Sequence, residues 1–479
     1  MTVMVASLLT AFVHQARRRP GAIALVAWHD HEPTSYTWSR LAAMVSRTAA
    51  SLETDRVGFA SDNSLADVIL PLACMASGAI EVPIDYRLGA AVHDLWNQVG
   101  GQWLTERDRE RLMTRALQAD DSAAAIGQLE KRSERVDTDQ PALILWTSGT
   151  TASPQGVTLS HRNLLGNAQA KLAAVPQRAD DVRLTALPLC HAYGRTCDFG
   201  TWLLSGCTLA VGLGFEAWER LGPVTEPTLA NTVPSIARRM FSAAAGEIGR
   251  GRLRLLGCGG AAMSAAEFHG WRDRGVTVIQ GYGLTETSPV ICSATPDNAI
   301  AGLVGDFVDG WEHQIRDGRL FVRGPHVMLG YWNDEPATRD RVDEHGWLDT
   351  GDLVEIDADT GQLRIFGRAD DVIVLSDGHK VHPQVIEREL EGIPGIRHAL
   401  IIGDDRHLQA WLDADETLPS GVIEQVVCQA LADRPAWERP VSIHCFRPPL
   451  SAARGELTQK GAIKRQQILD TRAELFAAR

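Results

Sequence analysis

The first residues whose types and spacing could do chemistry run Thr147-Ser148-Gly149-Thr150-Thr151-Ala152, directly after the apolar segment Leu143–Trp146. Pro154-Gln155-Gly156 then hands the chain back to an apolar Val157. A buried strand that feeds a loop of glycine and small hydroxyl residues brings a backbone close to a polyphosphate. Glycine lets successive N–H groups converge, and Ser and Thr hydroxyls donate further bonds to phosphate oxygens. The loop is not a Walker sequence, because G-x-x-x-x-G-K-[ST] is absent. Taken alone, the segment also fits a Ser/Thr-rich surface turn. A second stretch follows the apolar run Val276–Gln280: Gly281-Tyr282-Gly283-Leu284-Thr285-Glu286-Thr287. Tyr282 offers a face on which a purine can stack, and Glu286 a hard oxygen suited to Mg2+ beside a triphosphate.

Two weaker signals sit between them. Val182–Leu189 reads as a strand that ends at Pro188-Leu189-Cys190-His191, and strand ends are where α/β sheets present ligands. A lone histidine is more often structural, so its position is what singles out His191. Leu253–Leu256 is a further predicted strand, opening onto Gly257-Cys258-Gly259-Gly260-Ala261. That glycine cluster permits close approach of a flat or charged ligand, and equally fits a tight turn.

The elements that must hold these segments follow from pattern. An amphipathic helix is predicted over Ser7–Arg18, ended by Pro20 and Gly21. Strands are predicted at Ile23–Trp28, Ser35–Thr37, Arg56–Ala60 and Ala79–Pro83, with helices at Ser39–Leu52 and Ser64–Ala76 between them. This alternation argues for a mostly parallel sheet covered by helices. No chemistry is assigned to this region, which reads as scaffold. With 479 residues the chain exceeds what one hydrophobic core holds, so two or more domains are expected. A net charge of -13 argues against a nucleic-acid binder, which would show a basic face. Eight scattered cysteines without a C-x-x-C pair indicate neither a zinc site nor a disulfide framework, and fit reduced thiols in a cytoplasmic protein. The N-terminal apolar run precedes its basic cluster, the reverse of a signal peptide. No window reaches the length of a membrane span.

Taken together, these segments resemble the adenylate-forming superfamily of acyl-CoA synthetases, peptide-synthetase adenylation domains and luciferases. The phosphate loop of that superfamily, roughly [YF]TSGTTGxPKG, stands here as WTSGTTASPQG, and its GYGxTE motif as Gly281–Glu286. Its ribose motif GW(L/H)xTGD corresponds to Gly346–Asp352, and its hinge motif GRxDDxI to Gly367–Ile373. The segment Arg323–Trp332 fits as well, and the order holds from about Ala22 to Arg465. The resemblance implies an α/β fold: a large N-terminal domain of parallel and mixed sheets covered by helices (residues 1–368) and a small mobile α+β domain (residues 369–479). It implies that Thr147, Ser148, Gly149, Thr150, Thr151 and Ala152 hold phosphate, with Thr147 and Glu286 on Mg2+. Thr285 would contact the α-phosphate, and Asp352 and Arg368 the ribose. Gly259, Gly260 and Ala261 would lie along the adenine and acyl pocket, and Gly281, Tyr282 and Gly283 would belong to the adenine motif. His191 would sit near the passage between carboxylate and pyrophosphate, and Asp370 would be the hinge.

The implied activity is ATP-dependent ligation of an acid to a thiol through an acyl-adenylate. The acceptor would be coenzyme A or, acting in trans, the phosphopantetheine of an acyl carrier protein, and the acid an aryl or fatty acid. The sequence predicts that Cys190, Tyr193, Asn231, Cys258 and Gln280 line the acid pocket. The alternatives are a relative whose adenylate leads to a β-lactone or to reduction, and a nucleotide-binding pseudoenzyme. Two departures favour weaker ATP binding without loss of the reaction: the loop lysine is Gln155, and the loop glycine is Ala152. A third concerns the C-terminal catalytic lysine, whose usual place in G-K-[IL] is taken by Ala462. The run Lys460-Gly461-Ala462-Ile463-Lys464-Arg465 instead resembles a K-G-x-[IV]-x-R variant. Lys460 is the expected catalytic lysine and Lys464 the fallback, since residues two apart in an extended segment share a face.

Overall fold

The computed structural model describes residues 5–29, 31–121, 123–147, 154–243, 252–403, 406–415, 418–458 and 461–477. The opening helix is Leu8–Arg18, capped by the Ser7 hydroxyl, which accepts from the Thr10 N–H. A side-chain oxygen there satisfies an N–H that the helix itself cannot. Its apolar stripe is buried, and basic Arg17 and Arg18 fall in the last turn, where the helix dipole favours them.

The strand–helix alternation of the first 140 residues is divided between two sheets. Ile23–His29 and Glu32–Thr37 form an antiparallel hairpin at the edge of a nine-stranded sheet. Arg56–Ser61 and Ile80–Asp85 lie parallel in a six-stranded sheet that also carries Pro141–Trp146 and Gly156–Ser160. The main core lies between these layers. Phe12, Trp38, Leu41, Phe59, Leu145, Phe199 and Trp202 share it, with Trp38 stacked on Trp202 at 5.1 Å. One buried ion pair, Arg195 with Glu81, bridges from the helical layer to the six-stranded sheet. Breaking such a pair strands a buried charge and costs about 3–5 kcal/mol.

A third, four-stranded antiparallel sheet contains Leu348–Ile356 and Leu363–Arg368, and sets Asp352 opposite Arg368. Beyond it, Ile396–Gly403 and Leu408–Ala414 pair antiparallel, Ser442–Cys445 adds in parallel, and the helix Pro383–Glu391 covers the core of this smaller unit. It is α+β, against the α/β layers that precede it. Arg388 ties its first helix to the third sheet, donating to the Ile365 and Phe366 carbonyls at 2.9 and 3.1 Å. Among the described residues no helix is long and apolar enough to cross a membrane.

Candidate active site

The phosphate-loop sequence leaves the strand Pro141–Trp146 and returns in Gly156–Ser160, its antiparallel neighbour. The two ends are locked together. The Thr147 N–H donates to the Gln155 carbonyl at 3.0 Å, and the Gln155 N–H to the Thr147 hydroxyl at 3.2 Å. Ser148, Gly149, Thr150, Thr151 and Ala152, expected to hold phosphate, lie outside the described residues.

The return strand is then tied to the Glu286 turn by Met328–Trp332. The Met328 N–H donates to the Glu286 carbonyl, the Leu329 N–H to that of Thr158, and the Trp332 N–H to that of Gly156, at 2.9, 2.9 and 2.7 Å. Buried backbone donors are thus satisfied by two elements more than a hundred residues apart, which fixes their relative position. Thr285 and Glu286 occupy a short 3-10 turn after the strand Thr277–Gly283. The Glu286 carboxylate is buried; its Oε1 accepts the Tyr331 hydroxyl at 2.8 Å, and Arg341 stands 3.8 Å away. Among the described residues nothing donates to Oε2, which leaves a hard oxygen free for a divalent cation.

Asp352 closes the other side. It is 6 % exposed, accepts the Tyr282 hydroxyl on Oδ2 at 2.5 Å, and faces Arg368 at 3.3 Å. Arg368 is itself anchored on the Thr350 carbonyl at 2.7 Å. Burial pushes the Asp352 carboxyl above its ordinary range, opposed by Arg368 and the Tyr282 hydrogen bond. Burial, with the neighbouring carboxylate, pushes the Tyr282 phenol up as well. Tyr282 therefore stays a neutral donor, and its ring is pinned at the strand end. Asp370 lies in the turn Ala369–Asp371 that follows Arg368 directly.

His191 precedes the helical turn Ala192–Gly194, and its Nε2 lies 3.4 Å from Asp85 Oδ2. Asp85 ends the strand Ile80–Asp85 and is clamped by Arg87, at 2.8 and 2.5 Å. Despite partial burial, these partners hold its carboxyl well below the usual range. Asp85 comes from the region read as scaffold without chemistry. Its position at the carboxyl end of a parallel strand was the available signal.

The acid-pocket expectation needs correction. In a strand successive side chains face opposite sides, and the register aligns Asn231 with Gly257 and Ile279, and Thr232 with Cys258 and Gln280. Asn231 and Gly257 face the helices that carry Tyr193. Cys258 packs on the other face with Met263, Phe268 and Trp271, and Gln280 shares its side. Cys258 and Gln280 are therefore not neighbours of Tyr193 and Asn231 across the pocket. Gly259 lies against Tyr193: a Cβ on it would fall 3.0 Å from that ring. Gly260, at φ +78°, and Ala261 continue the loop beyond it. Gly281 pairs with Ser293, and Gly283 with Val290.

The C-terminal segment doubles back on itself. Leu457 and Ile463 pair across a reversal in which the Gly461 N–H donates to the Thr458 carbonyl at 2.9 Å. Lys464 lies on the return arm, where its N–H donates to the Glu456 carbonyl at 2.9 Å, just before the helix Arg465–Thr471. Lys460 lies outside the described residues. Gly461 does face the large unit: a Cβ on it would stand 3.8 Å from the Ser235 hydroxyl, just beyond Asn231-Thr232-Val233-Pro234.

Two α/β sheets, the polar side chains of Tyr282, Glu286, Asp352 and Arg368 gathered beside them, and a smaller α+β unit are the features of an adenylate-forming enzyme. Residues 12–332 match the AMP-binding enzyme family and residues 370–475 the AMP-binding enzyme C-terminal domain, and the chain belongs to that family. It is 30% identical over 428 residues to a feruloyl-CoA synthase of an Amycolatopsis species, covering 82% of this chain and 84% of that one. It is also 30% identical over 466 residues to the fatty acid–[acyl-carrier-protein] ligase MmaC of Mycobacterium marinum, covering 83% and 84%. The fold matches the crystal structure of the anthranilate CoA ligase AuaEII in complex with anthranoyl-AMP, with a TM-score of 0.81 at 20% identity over 99% of this chain and 98% of that one.

Proposed function

We propose that the chain joins a small carboxylic acid to a thiol at the expense of ATP, in two half-reactions on one site. An oxygen of the acid attacks the α-phosphorus of ATP; an O–P bond forms and pyrophosphate leaves. The thiol of coenzyme A or of a carrier-protein phosphopantetheine then attacks the acyl carbon, and AMP leaves. The observation that carries this reading is the tie made by Met328–Trp332, which holds the return of the phosphate loop against the Glu286 turn.

In this reading Asp352 accepts the ribose hydroxyls while Arg368 and Tyr282 orient it, and Thr285 lies toward the α-phosphate. Glu286 and the Thr147 hydroxyl would hold Mg2+, which when bound offsets charge on the phosphate oxygens. The buried, half-engaged Glu286 fits that ion. His191, steadied by Asp85, stands at the acid's approach. Lys460 supplies an ammonium between carboxylate and α-phosphate, and Asp370 is the pivot about which residues 369–479 swing against residues 1–368. Excluding water protects the mixed anhydride between the two steps.

ATP–pyrophosphate exchange with a panel of aryl and medium- to long-chain fatty acids tests the reading, followed by detection of acyl-CoA. Exchange that depends on one class of acid is expected. Exchange no greater than an acid-free control across the panel would refute catalysis and favour a nucleotide-binding role.

A further inference from the structure

The inner face of the nine-stranded sheet beneath the acid pocket is polar and charged. Arg183, Thr185, Asn231 and Gly257 lie on that face, because Arg183 aligns with Leu229, Thr185 with Asn231, and Asn231 with Gly257. Helices cover it. The turn Arg195–Gly200 is π-helical, a local widening that often marks functional sites, and contributes Cys197 and Asp198. The helix His161–Ala174 contributes Lys171.

The contacts commit this floor to polar partners. A Cβ at Gly257 would fall 1.9 Å from Asn231 Oδ1 and 3.0 Å from the Tyr193 hydroxyl, so both side chains press on that glycine. Asn231 Nδ2 donates to Asp198 Oδ1 at 2.8 Å and to the Cys197 carbonyl at 3.1 Å. Asp198 is paired with Arg183 at 2.7 Å. Lys171 is 8 % exposed, and its Nζ donates to the Ser293 hydroxyl at 2.7 Å. Among the described residues no carboxylate pairs with it. The layer therefore contains two basic side chains and one carboxylate, and that carboxylate is committed to Arg183. Burial pushes the Lys171 ammonium below its ordinary range, as expected of a buried cation without a counter-ion.

We infer that the acid this chain activates is short and carries a second anionic group, which reaches past Tyr193 and Asn231 to pair with Lys171. This rests on the acid-activating reading above and names the substrate class of the same site. A carboxylate supplies the counter-ion that Lys171 lacks. A long alkyl chain would displace or strand the polar groups of the floor, and a site built for a polar partner rejects an analogue without one.

The test compares wild-type pyrophosphate exchange on matched acids: succinate against butyrate, glutarate against pentanoate, and laurate alone. The diacid of each pair should exceed its monoacid by about tenfold or more in kcat/KM, as for a buried charge-assisted bond, and laurate should be inactive. Lys171→Met should collapse that ratio by raising KM for the diacid, while a merely structural role would lower both acids alike. Should the variant not fold, the wild-type ratio decides alone. Equal activity on both members of each pair, or preference for laurate, overturns the inference and leaves the ligase reading standing. No exchange with any acid, including the aryl and fatty acid panel, overturns the ligase reading and the inference with it.

Discussion

Asp352→Asn separates a ribose acceptor from a structural ion pair. Asp352 is buried, takes one hydrogen bond from Tyr282 at 2.5 Å and stands 3.3 Å from Arg368. In the absence of nucleotide its charge is unfavourable, since burial raises its carboxyl above the ordinary range. Asparagine keeps the shape and one acceptor oxygen, and Arg368 keeps its bond to the Thr350 carbonyl. The change leaves Arg368 without its carboxylate, but that guanidinium is 30 % exposed and keeps its carbonyl partner, so solvent compensates its charge and the Tm of Asp352→Asn should fall little. Binding should fall much further. The amide replaces a charged acceptor of a ribose hydroxyl, and a hydrogen bond to a charged group is worth about 1.5–3 kcal/mol, or roughly 10- to 150-fold in affinity. Titration calorimetry with ATP and AMP reads the affinity directly, and pyrophosphate exchange should show the loss in KM for ATP. An unchanged affinity together with a clearly lowered Tm would refute the assignment and make Asp352–Arg368 a strut of the third sheet.

Three further predictions concern other parts of the chain. Glu286→Gln should lower pyrophosphate exchange by roughly two orders of magnitude, the scale of losing one preorganised electrostatic contact; a rate near wild type at saturating Mg2+ would remove Glu286 from the site. Lys460→Ala should lose adenylation yet keep thioester formation from supplied acyl-adenylate, while Lys464→Ala, at a helix N-cap position, should keep both; retention of adenylation in Lys460→Ala would move the role elsewhere. Asp67, buried beside Asp62 and Arg109, has its carboxyl pushed up to about 7, first by burial and then by Asp62. A carboxyl raised in the folded state holds a proton that the unfolded chain has released. Its contribution is therefore complete below the ordinary carboxylate range and is lost as pH rises toward 7. Asp67→Asn should accordingly gain Tm over the wild type at pH ~8 and not at pH ~4, as differential scanning fluorimetry would show. An equal difference at both values would assign Asp67 no part in the pH dependence.

What could be read in the sequence was what the chemistry writes locally. A backbone that approaches phosphate needs glycine and small hydroxyl residues in succession, so Thr147–Gly156 announces itself, as do Gly281–Glu286 and Gly346–Asp352. Long periodic elements were legible for the same reason. The helix Leu8–Arg18 and the strands Ile23–His29 and Arg56–Ser61 fall within a residue of the predicted positions. The helices Ala91–Asn97, Glu106–Leu117 and Ala123–Ser133 were not foreseen. What the sequence hid was written across elements. His191 meets Asp85, and Lys171 meets Ser293, only because two sheets and the helices between them bring distant segments into register.

The acid pocket shows why such contacts resist reading from the chain alone. Cys258 and Gly257 are adjacent in sequence, yet one faces the outer helices and the other faces Tyr193, because strand alternation separates neighbours. Which of the two faces the ligand depends on how Leu255–Cys258 is paired between its neighbours, and no local residue states that pairing. In the proposed reading the nucleotide half of the site rests on the phosphate loop, the Glu286 turn, Asp352 and Arg368. The proposed acid half rests instead on side chains from separate strands and helices, so its specificity would lie in their combination. An exchange such as Lys171→Met alters only one of those side chains, leaving the phosphate loop, the Glu286 turn and Asp352 intact. Acid preference should therefore be separable from ATP affinity in this chain, and a Lys171 variant that shifted both together would mean that the two halves share a wall.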